Sequence, residues 1–175
     1  MTENKKKWYV VYTRPRWEKK VYGLLFKKGL EVYCPLNRMR KKWSDRVKWV
    51  EEPLFKSYVF IRAVEDELPM VRLISGVLNF VYWLGKPAIV KDRDIELIRK
   101  FLNDYNEVEV EPIELQKDAR VTIRRGVLMN RQAKVVKVMN KRVRVVIESI
   151  GYALVAVVET MNVRVNEKAD VINTK

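Results

Sequence analysis

An uninterrupted apolar run follows a proline-bounded loop in the first half of the chain. Pro53 donates no backbone hydrogen bond and suits a loop or a strand edge, whereas the Tyr-Val-Phe-Ile run that follows is a strong strand signal. Alternation places Tyr58 and Phe60 on one face of this strand and Val59 and Ile61 on the other. Either both faces are core, which is the commoner outcome for buried aromatics, or helices cover one side and the aromatic face stays free for a partner.

The size and charge of the chain restrict what kind of protein it encodes. With 175 residues, of which 48% are hydrophobic, it can form one domain or two small ones with a packed core. Its 36 lysine and arginine residues against 22 acidic residues give a formal net charge of +14. This excess is larger than solubility requires, so we expect a polyanionic partner, and nucleic acid is the commonest one.

Residue types that are rare or missing exclude several classes of site. The sequence contains one cysteine, Cys34, and no histidine. Disulfide frameworks, zinc sites of the cysteine or histidine type and histidine-based catalytic triads are therefore excluded. The carboxylates Asp45, Glu51 and Glu52 lie among cations without a recognisable metal-binding spacing. We expect no enzymatic activity, no metal and no cofactor.

No segment of the sequence predicts membrane insertion. Residues 1–7 are polar and basic, unlike a signal peptide, and the longest later apolar run, residues 152–158, is too short to cross a bilayer. We therefore expect a cytosolic protein without a membrane partner.

The first part of the chain alternates between strand and helix signals. Residues 8–13 are continuous strand formers, and Pro15 suits the first turn of a helix whose apolar residues recur at helical spacing until Gly29. The later predicted elements are a strand at 30–35, a basic hairpin at 37–50, the strand that contains Tyr58, a helix at 68–74, a strand at 77–83 and a helix that Asp92 caps. This order predicts an α+β fold, with helices packed on an antiparallel sheet.

Two basic surfaces emerge from this pattern. The first lies along the outer side of the predicted first helix and at its entrance, and consists of Arg14, Arg16, Lys19, Lys20 and Lys27. A solvated helix face and a phosphate-contact surface both fit this acid-free stripe. The second is the hairpin, where Trp43 and Trp49 stand among six cations. We interpret Trp49 as a brace and Trp43, near the predicted tip at 44–45, as a candidate for base stacking.

The composition changes after the last helix of this part. Residues 105–117 alternate glutamate with valine, proline and isoleucine, so we interpret them as an acidic linker between a first domain at 1–104 and a second at 118–175. The net charge is +11 over residues 1–62 and −1 over 63–104, while the linker carries −3 and the second domain +7. Positive charge is therefore concentrated at the start of the first domain and again in the second.

The second domain is rich in valine and dense in short alternating runs. Five strands are predicted at 120–123, 132–139, 142–147, 152–158 and 161–165. Turns at 140–141 and 150–151 separate neighbouring runs. Five short strands in about fifty residues indicate a small five-stranded β-barrel, which is typical of an interaction module.

The order of these motifs resembles that of a known family. The motifs are Trp8-Tyr9-Val10-Val11-Tyr12, Pro53 to Phe60 in the pattern Pro-Leu-Phe-x-x-Tyr-x-Phe, Ser75-Gly76-Val77 followed by Phe80, Pro87-Ala88-Ile89-Val90, and the basic five-strand module. Over nearly its whole length the chain resembles NusG-type transcription elongation factors, with an amino-terminal domain of that family and a carboxy-terminal KOW-like domain. The pattern around Phe55 resembles most closely the specialised antiterminators of the RfaH and UpxY kind, which act on polysaccharide operons.

The resemblance implies a contact with RNA polymerase. In this family the first domain docks an apolar surface on the clamp helices of the largest polymerase subunit. The positions of this sequence that match are Tyr12, Leu54, Phe55, Tyr58, Phe60, Phe80 and Trp83.

The resemblance also implies further partners. In specialised relatives the basic helix contacts non-template DNA in the paused transcription bubble. The matching candidates are Arg14, Arg16, Lys19, Lys20 and Lys27, with Lys41, Lys42 and Trp43 of the hairpin as outer candidates. The KOW-like barrel is expected to recruit a ribosomal protein or a termination factor.

Our leading hypothesis is a non-enzymatic elongation and antitermination factor that binds RNA polymerase and suppresses pausing and termination. The alternative is a ribosome- or structured-RNA-binding protein, because KOW modules and basic surfaces also occur there. Salt-sensitive binding to structured RNA without polymerase would favour this alternative.

Overall fold

The computed structural model describes residues 5–113, 138–139 and 142–157. The strands of the first part are β1 (Lys7–Thr13), β2 (Glu31–Tyr33), β3 (Leu36–Lys42), β4 (Val47–Pro53), β5 (Tyr58–Ala63), β6 (Val77–Phe80), β7 (Tyr82–Trp83), β8 (Lys86–Pro87) and β9 (Ile89–Val90). The helices are α1 (Glu18–Lys27), α2 (Leu68–Arg72) and α3 (Asp92–Asp104). The later strands are β10 (Glu109–Pro112), β11 (Val138–Met139), β12 (Arg142–Ile147) and β13 (Tyr152–Val157), and single 3-10 turns lie at Glu65–Glu67 and Glu148–Ile150.

The main sheet is antiparallel and has β1 at its centre. Its strand order is β2-β5-β1-β6, and β9 also pairs with β1. Val10 lies opposite Phe60 and Tyr12 opposite Tyr58, so the aromatic residues of β5 share a face with every second residue of β1. The predicted antiparallel sheet with flanking helices is confirmed.

Two helices, α1 and α2, cover one face of this sheet. The apolar cluster on this side is closed by Val21 and Leu25 of α1 and Val71 of α2, all fully buried. They pack against Val59 and Ile61, the pair that alternation separates from the aromatic residues. The predicted division of β5 into two faces is therefore confirmed.

The other face of the sheet is also buried. Phe60 is completely inaccessible to solvent and belongs to a cluster with Ile95 and Ile98 of α3. The same cluster includes Ile147 of β12 and Leu154 of β13. The alternative in which the aromatic face stays free is therefore wrong for this structure, because α3 and the β12–β13 hairpin cover it.

A second antiparallel sheet has the strand order β10-β13-β12-β11. Its edge strand β10 comes from within residues 105–117, the segment interpreted as a linker, and the bounds of the two domains stay a prediction. The predicted strands at 142–147 and 152–158 correspond to β12 and β13, and the turn between them contains Gly151 with φ of 70°. The predicted strands at 120–123 and 161–165 lie outside the described residues, and closure of a five-stranded barrel stays a prediction.

The basic hairpin forms as predicted, from β3 and β4. Its base is attached to the chain after α3, because the Asn37 side chain donates to the Val108 carbonyl at 2.8 Å and accepts from the Val108 amide at 3.0 Å. Along the hairpin, the Trp49 ring lies 5.1 Å from the guanidinium of Arg38 and 5.7 Å from that of Arg40. These contacts agree with the interpretation of Trp49 as a brace.

Two details of the predicted elements differ from the structure. The strand predicted at 77–83 is divided into β6 and β7, with Val81 between them. Asp92 is the first residue of α3, and the extended Lys91 occupies the cap position. An acidic residue in the first turn still interacts favourably with the helix dipole, so Asp92 retains a role at this helix terminus.

Two glycines of the first domain are expected to respond oppositely to substitution. Gly76 has φ of 92°, and a Cβ there would lie 2.4 Å from Cε3 of Trp17. Gly23 lies in α1, where an added Cβ would meet no atom within 4 Å. We expect Gly76→Ala to lower the free energy of unfolding by more than about 1 kcal/mol. We expect Gly23→Ala to raise it by about 0.5–1 kcal/mol.

Urea denaturation of both variants, followed by tryptophan fluorescence, measures these changes. Equal midpoints for Gly76→Ala and the unmodified protein would contradict the close packing of Trp17 on Gly76.

Candidate functional site

A buried carboxylate fixes the loop that carries Leu54 and Phe55. Glu18, at the start of α1, accepts a hydrogen bond from the Ser57 amide at 2.6 Å, and Ser57 has a left-handed backbone with φ of 64°. The Ser57 carbonyl in turn accepts from the Thr13 amide at 2.8 Å. The loop is thereby tied to both α1 and β1, so that the ring of Phe55 is held at the aromatic face of the sheet.

Five of the seven predicted polymerase-binding residues come together. They form the aromatic cluster, defined here as Tyr12, Leu54, Phe55, Tyr58 and Phe60. The ring of Phe55 meets that of Phe60 edge-on at 5.7 Å, and Tyr12 meets Tyr58 in the same way at 5.9 Å. Tyr12 is 42% exposed and Tyr58 is half-buried, whereas Leu54, Phe55 and Phe60 are buried.

The other two predicted members, Phe80 and Trp83, lie elsewhere. Phe80 pairs with Val11 and is buried with Tyr9 on the opposite face, against α1 and α2. Trp83 is 66% exposed on the small β7–β8 hairpin. Their assignment to one surface with the aromatic cluster is wrong for Phe80, because its pairing register places it with Val11.

The β12–β13 hairpin and the turn between its strands cover the aromatic cluster. The ring of Tyr152 lies 5.8 Å from that of Phe55. Beside it, the carboxylate of Asp94 in α3 accepts hydrogen bonds from both the amide and the hydroxyl of Ser149, the amide at 3.3 Å. Burial, followed by the neighbouring Tyr152 hydroxyl, raises the pKa of Tyr58. The contact therefore combines ring packing with a buried hydrogen-bonded carboxylate.

The predicted basic residues at α1 are exposed, but some have partners within the protein. The ring of Trp17 lies 5.5 Å from the guanidinium of Arg14 and 3.9 Å from the ammonium of Lys20. Lys19 donates to the Glu51 carbonyl on β4 at 2.7 Å. The remaining predicted residues, Arg16 and Lys27, are both exposed. Arg14 and Lys20 thus form a cationic surface on Trp17 near the start of α1.

The outer candidates of the hairpin differ in their availability. Lys41 forms a close ion pair with Glu52, and the hydrogen bond from Lys41 is the main cause that lowers the pKa of this carboxyl. Lys42 is exposed, and Trp43 at the tip is 56% exposed. Of the three, Lys42 and Trp43 are the more available to a partner.

The described part of the chain contains no group of three or more acidic, cysteine or histidine side chains that could hold a metal ion. In the same residues, the helices are all too short or too polar to span a bilayer. The thiol of Cys34 is partly buried, and burial raises its pKa to about 11. This thiol is therefore protonated at neutral pH and is a poor nucleophile.

Similarity to known proteins extends over the main sheet, α1, α2 and the first part of α3. The family model described as "Transcription termination factor nusG" matches residues 6–99, which is more than half of the chain. The chain belongs to the NusG family. The matched residues include β1, α1, the hairpin, the aromatic cluster and most of α3.

Individual NusG proteins are similar to this chain over most of its length. "Transcription termination/antitermination protein NusG" of Streptococcus pyogenes is 26% identical over 168 residues, covering 88% of this chain and 93% of that protein. The protein of the same name from Halalkalibacterium halodurans is 28% identical over 139 residues, covering 71% and 78%. A solved structure described as "Domain interaction in Thermotoga maritima NusG" has a TM-score of 0.49 and 20% identity, covering 89% of this chain and 94% of that one.

Sequence reasoning missed two features of this NusG-family chain. Tyr22 and Phe26 of α1 stack in parallel on its outer surface, and their spacing of four residues was the available signal. The contacts of Ser149 with Asp94 and of Tyr152 with Phe55 had no such signal, since they join segments distant in sequence.

Removing the Tyr152 ring is expected to expose the aromatic cluster. We expect Tyr152→Ala to increase the fluorescence of a dye that binds apolar surfaces, because Phe55 loses the ring that covers it from the β12–β13 hairpin. Val157→Ala is the matched control, since Val157 lies on the same strand but is exposed. Equal dye binding by the two variants would contradict the covering role of Tyr152.

Proposed function

We propose that this protein is a non-enzymatic transcription elongation and antitermination factor that acts in the cytosol on RNA polymerase. The match of the NusG family model to residues 6–99 carries the proposal, because it includes the sheet that bears the aromatic cluster. Docking of this cluster on the clamp helices of the largest polymerase subunit would suppress pausing and termination. Exposed Tyr12 and half-buried Tyr58 would form the first contact.

Docking on this surface requires the β12–β13 hairpin to move away. Phe55 and Leu54 are buried in the closed arrangement, and Tyr152 packs on Phe55 where a partner would bind. A partner shifts such an equilibrium only by its greater affinity for the open form. Polymerase affinity therefore includes the free energy of opening, and weakening the closed contact raises the apparent affinity.

The basic stripe on α1 supports a second contact, with non-template DNA. Its cations Arg14, Arg16, Lys20 and Lys27 are exposed and would position a strand through its phosphates. Lys42 and Trp43 at the end of the basic hairpin would extend this surface. Lys19 and Lys41, which already contact Glu51 and Glu52, would add positive charge to it.

Within the family, we place the chain among the specialised antiterminators that act on polysaccharide operons. The Pro-Leu-Phe-x-x-Tyr-x-Phe pattern that ends at Phe60 supports this assignment, together with the net charge of +11 over residues 1–62. The second domain would bind a ribosomal protein or a termination factor through its KOW-like barrel.

Retention on immobilised core RNA polymerase tests the docking surface and its cover. We expect Phe55→Ala combined with Tyr58→Ala to weaken binding at least about tenfold, as removal of central aromatic contacts does at protein interfaces. Because Phe55 is buried, Tyr12→Ala is included as a variant whose exposed ring is dispensable for the core. Tyr12→Ala should also weaken binding to the polymerase.

The opposite change is expected when the cover is weakened. Tyr152→Ala should increase apparent polymerase affinity by up to about tenfold, because a loss of about 1.4 kcal/mol from the closed contact raises the competent fraction by that factor. Val157→Ala serves again as the control. Unchanged binding by Tyr12→Ala and by the double variant would contradict the proposed docking surface. Unchanged binding by Tyr152→Ala alone would contradict only the proposal that the β12–β13 hairpin blocks this surface.

Transcription in vitro on a long template with defined pause sites tests the activity itself. The protein should shorten pauses and increase full-length RNA, and Tyr12→Ala should reduce this effect in proportion to its loss of binding. Binding to structured RNA without any effect on pausing would instead support the ribosome- or RNA-binding alternative.

A further inference from the structure

The outer surface of α1 carries a stacked pair of aromatic rings. Tyr22 and Phe26 are parallel to within 10°, with centroids 6.1 Å apart. Such a pair, four residues apart, stabilises a helix by only about 0.2–0.5 kcal/mol. That effect does not explain why the rings are left in solvent, with Phe26 62% exposed and Tyr22 36% exposed. Two aromatic rings at the surface of a helix with exposed lysines favour a partner that contacts both the rings and the positive charges.

Cations flank these rings without a competing acid on the same helix. Lys20 and Lys27 are exposed, and the one acid of α1, Glu18, is buried and accepts a hydrogen bond from the Ser57 amide. At about 100° per residue, Gly23 falls between the two rings on one side and the two lysines on the other.

Gly23 leaves this middle strip of the helix without a side chain. A Cβ built there meets no atom within 4 Å, so the space above it is open. The surface is thus a pair of rings and a pair of ammonium groups with the bare backbone of Gly23 between them. This arrangement suits a polymer that carries flat apolar groups on one side and negative charges on the other.

We propose that Tyr22 and Phe26 form a stacking platform for the bases of a single-stranded nucleic acid, whose phosphates lie along Lys20 and Lys27. This inference rests on the nucleic-acid contact proposed above and adds base contacts to it. A duplex satisfies its base faces internally and cannot use exposed rings in this way, whereas unpaired bases stack on aromatic side chains. An acidic peptide would use the lysines but would have no need of two parallel rings.

The rings and the lysines lie on different strips of α1, so base stacking and phosphate attraction can be measured separately. The probes are a labelled oligothymidylate and a matched oligomer of the same length whose sugars carry no bases. We expect the unmodified protein to bind the oligothymidylate more tightly by about tenfold, since one stacked base contributes about 1–3 kcal/mol. Phe26→Ala should abolish this preference, and Phe26→Trp should restore it.

Charge variants should behave differently from ring variants. Lys27→Ala should weaken binding of both oligomers equally and reduce the dependence of binding on salt. Leu73→Ala, at an exposed apolar residue of the same domain, is the matched control and should change neither. Thermal unfolding of each variant checks that the exposed substitutions leave the fold intact.

Three results would overturn the proposal, and they differ in what they leave standing. If the preference for bases survives Phe26→Ala but is lost in Trp43→Ala, the hairpin tip is the stacking site and the nucleic-acid contact remains. If the unmodified protein binds both oligomers equally, there is no stacking platform and only phosphate attraction is left. If it binds neither, the proposed nucleic-acid contact fails as well. Oligouridylate in place of oligothymidylate distinguishes RNA from DNA as the source of the bases.

Discussion

Burial of both faces of one sheet is the constraint on which the rest of this structure depends. Strands β1 and β5 are apolar on both sides, so water must be excluded from each. The helices α1 and α2 cover the side that contains Val59 and Ile61. The side that contains Phe60 is closed by α3 and, in addition, by β12 and β13 from a distant part of the chain. Side chains of the second sheet therefore form part of the apolar core that buries the first sheet.

The two covers of the aromatic face differ in how they are attached. Helix α3 follows β9 directly in the chain, and its Arg99 lies over the rings of Trp8 and Tyr33, at 5.7 and 4.8 Å. The β12–β13 hairpin joins the face through buried apolar side chains such as Ile147 and Leu154, through Tyr152, and through the hydrogen bonds of Ser149 to Asp94. The proposed docking on the aromatic face would therefore have to displace these packed residues as well as the hydrogen bonds, a cost that the greater affinity of a partner for the open form must exceed.

The sequence predicted local features well and distant ones poorly. Alternation was sufficient to assign Phe60 and Val59 to opposite faces, because a strand has a fixed period of two. Phe80 was wrongly grouped with the aromatic residues of β5, since its side depends on its register with Val11, and pairing register is a property of two strands together. The strand β10 was missed because its alternating glutamates give the composition of a linker, and pairing with β13 outweighs that local preference. The cover over Phe55 likewise depends on residues about one hundred positions away.

The arrangement of the covers also separates the two proposed binding surfaces. Helix α1 lies on the face of the sheet opposite to the β12–β13 hairpin, so opening or closing of the hairpin leaves Lys20, Lys27 and Phe26 exposed in either state. The link between the two sides is Glu18, which belongs to α1 but fixes the Ser57 turn beside Phe55. Electrostatic attraction to a polyanion acts over about 10 Å and does not require the closed contact to break. Under the proposed function, nucleic-acid contact would therefore be available before docking, and only the proposed apolar contact with polymerase would depend on the hairpin.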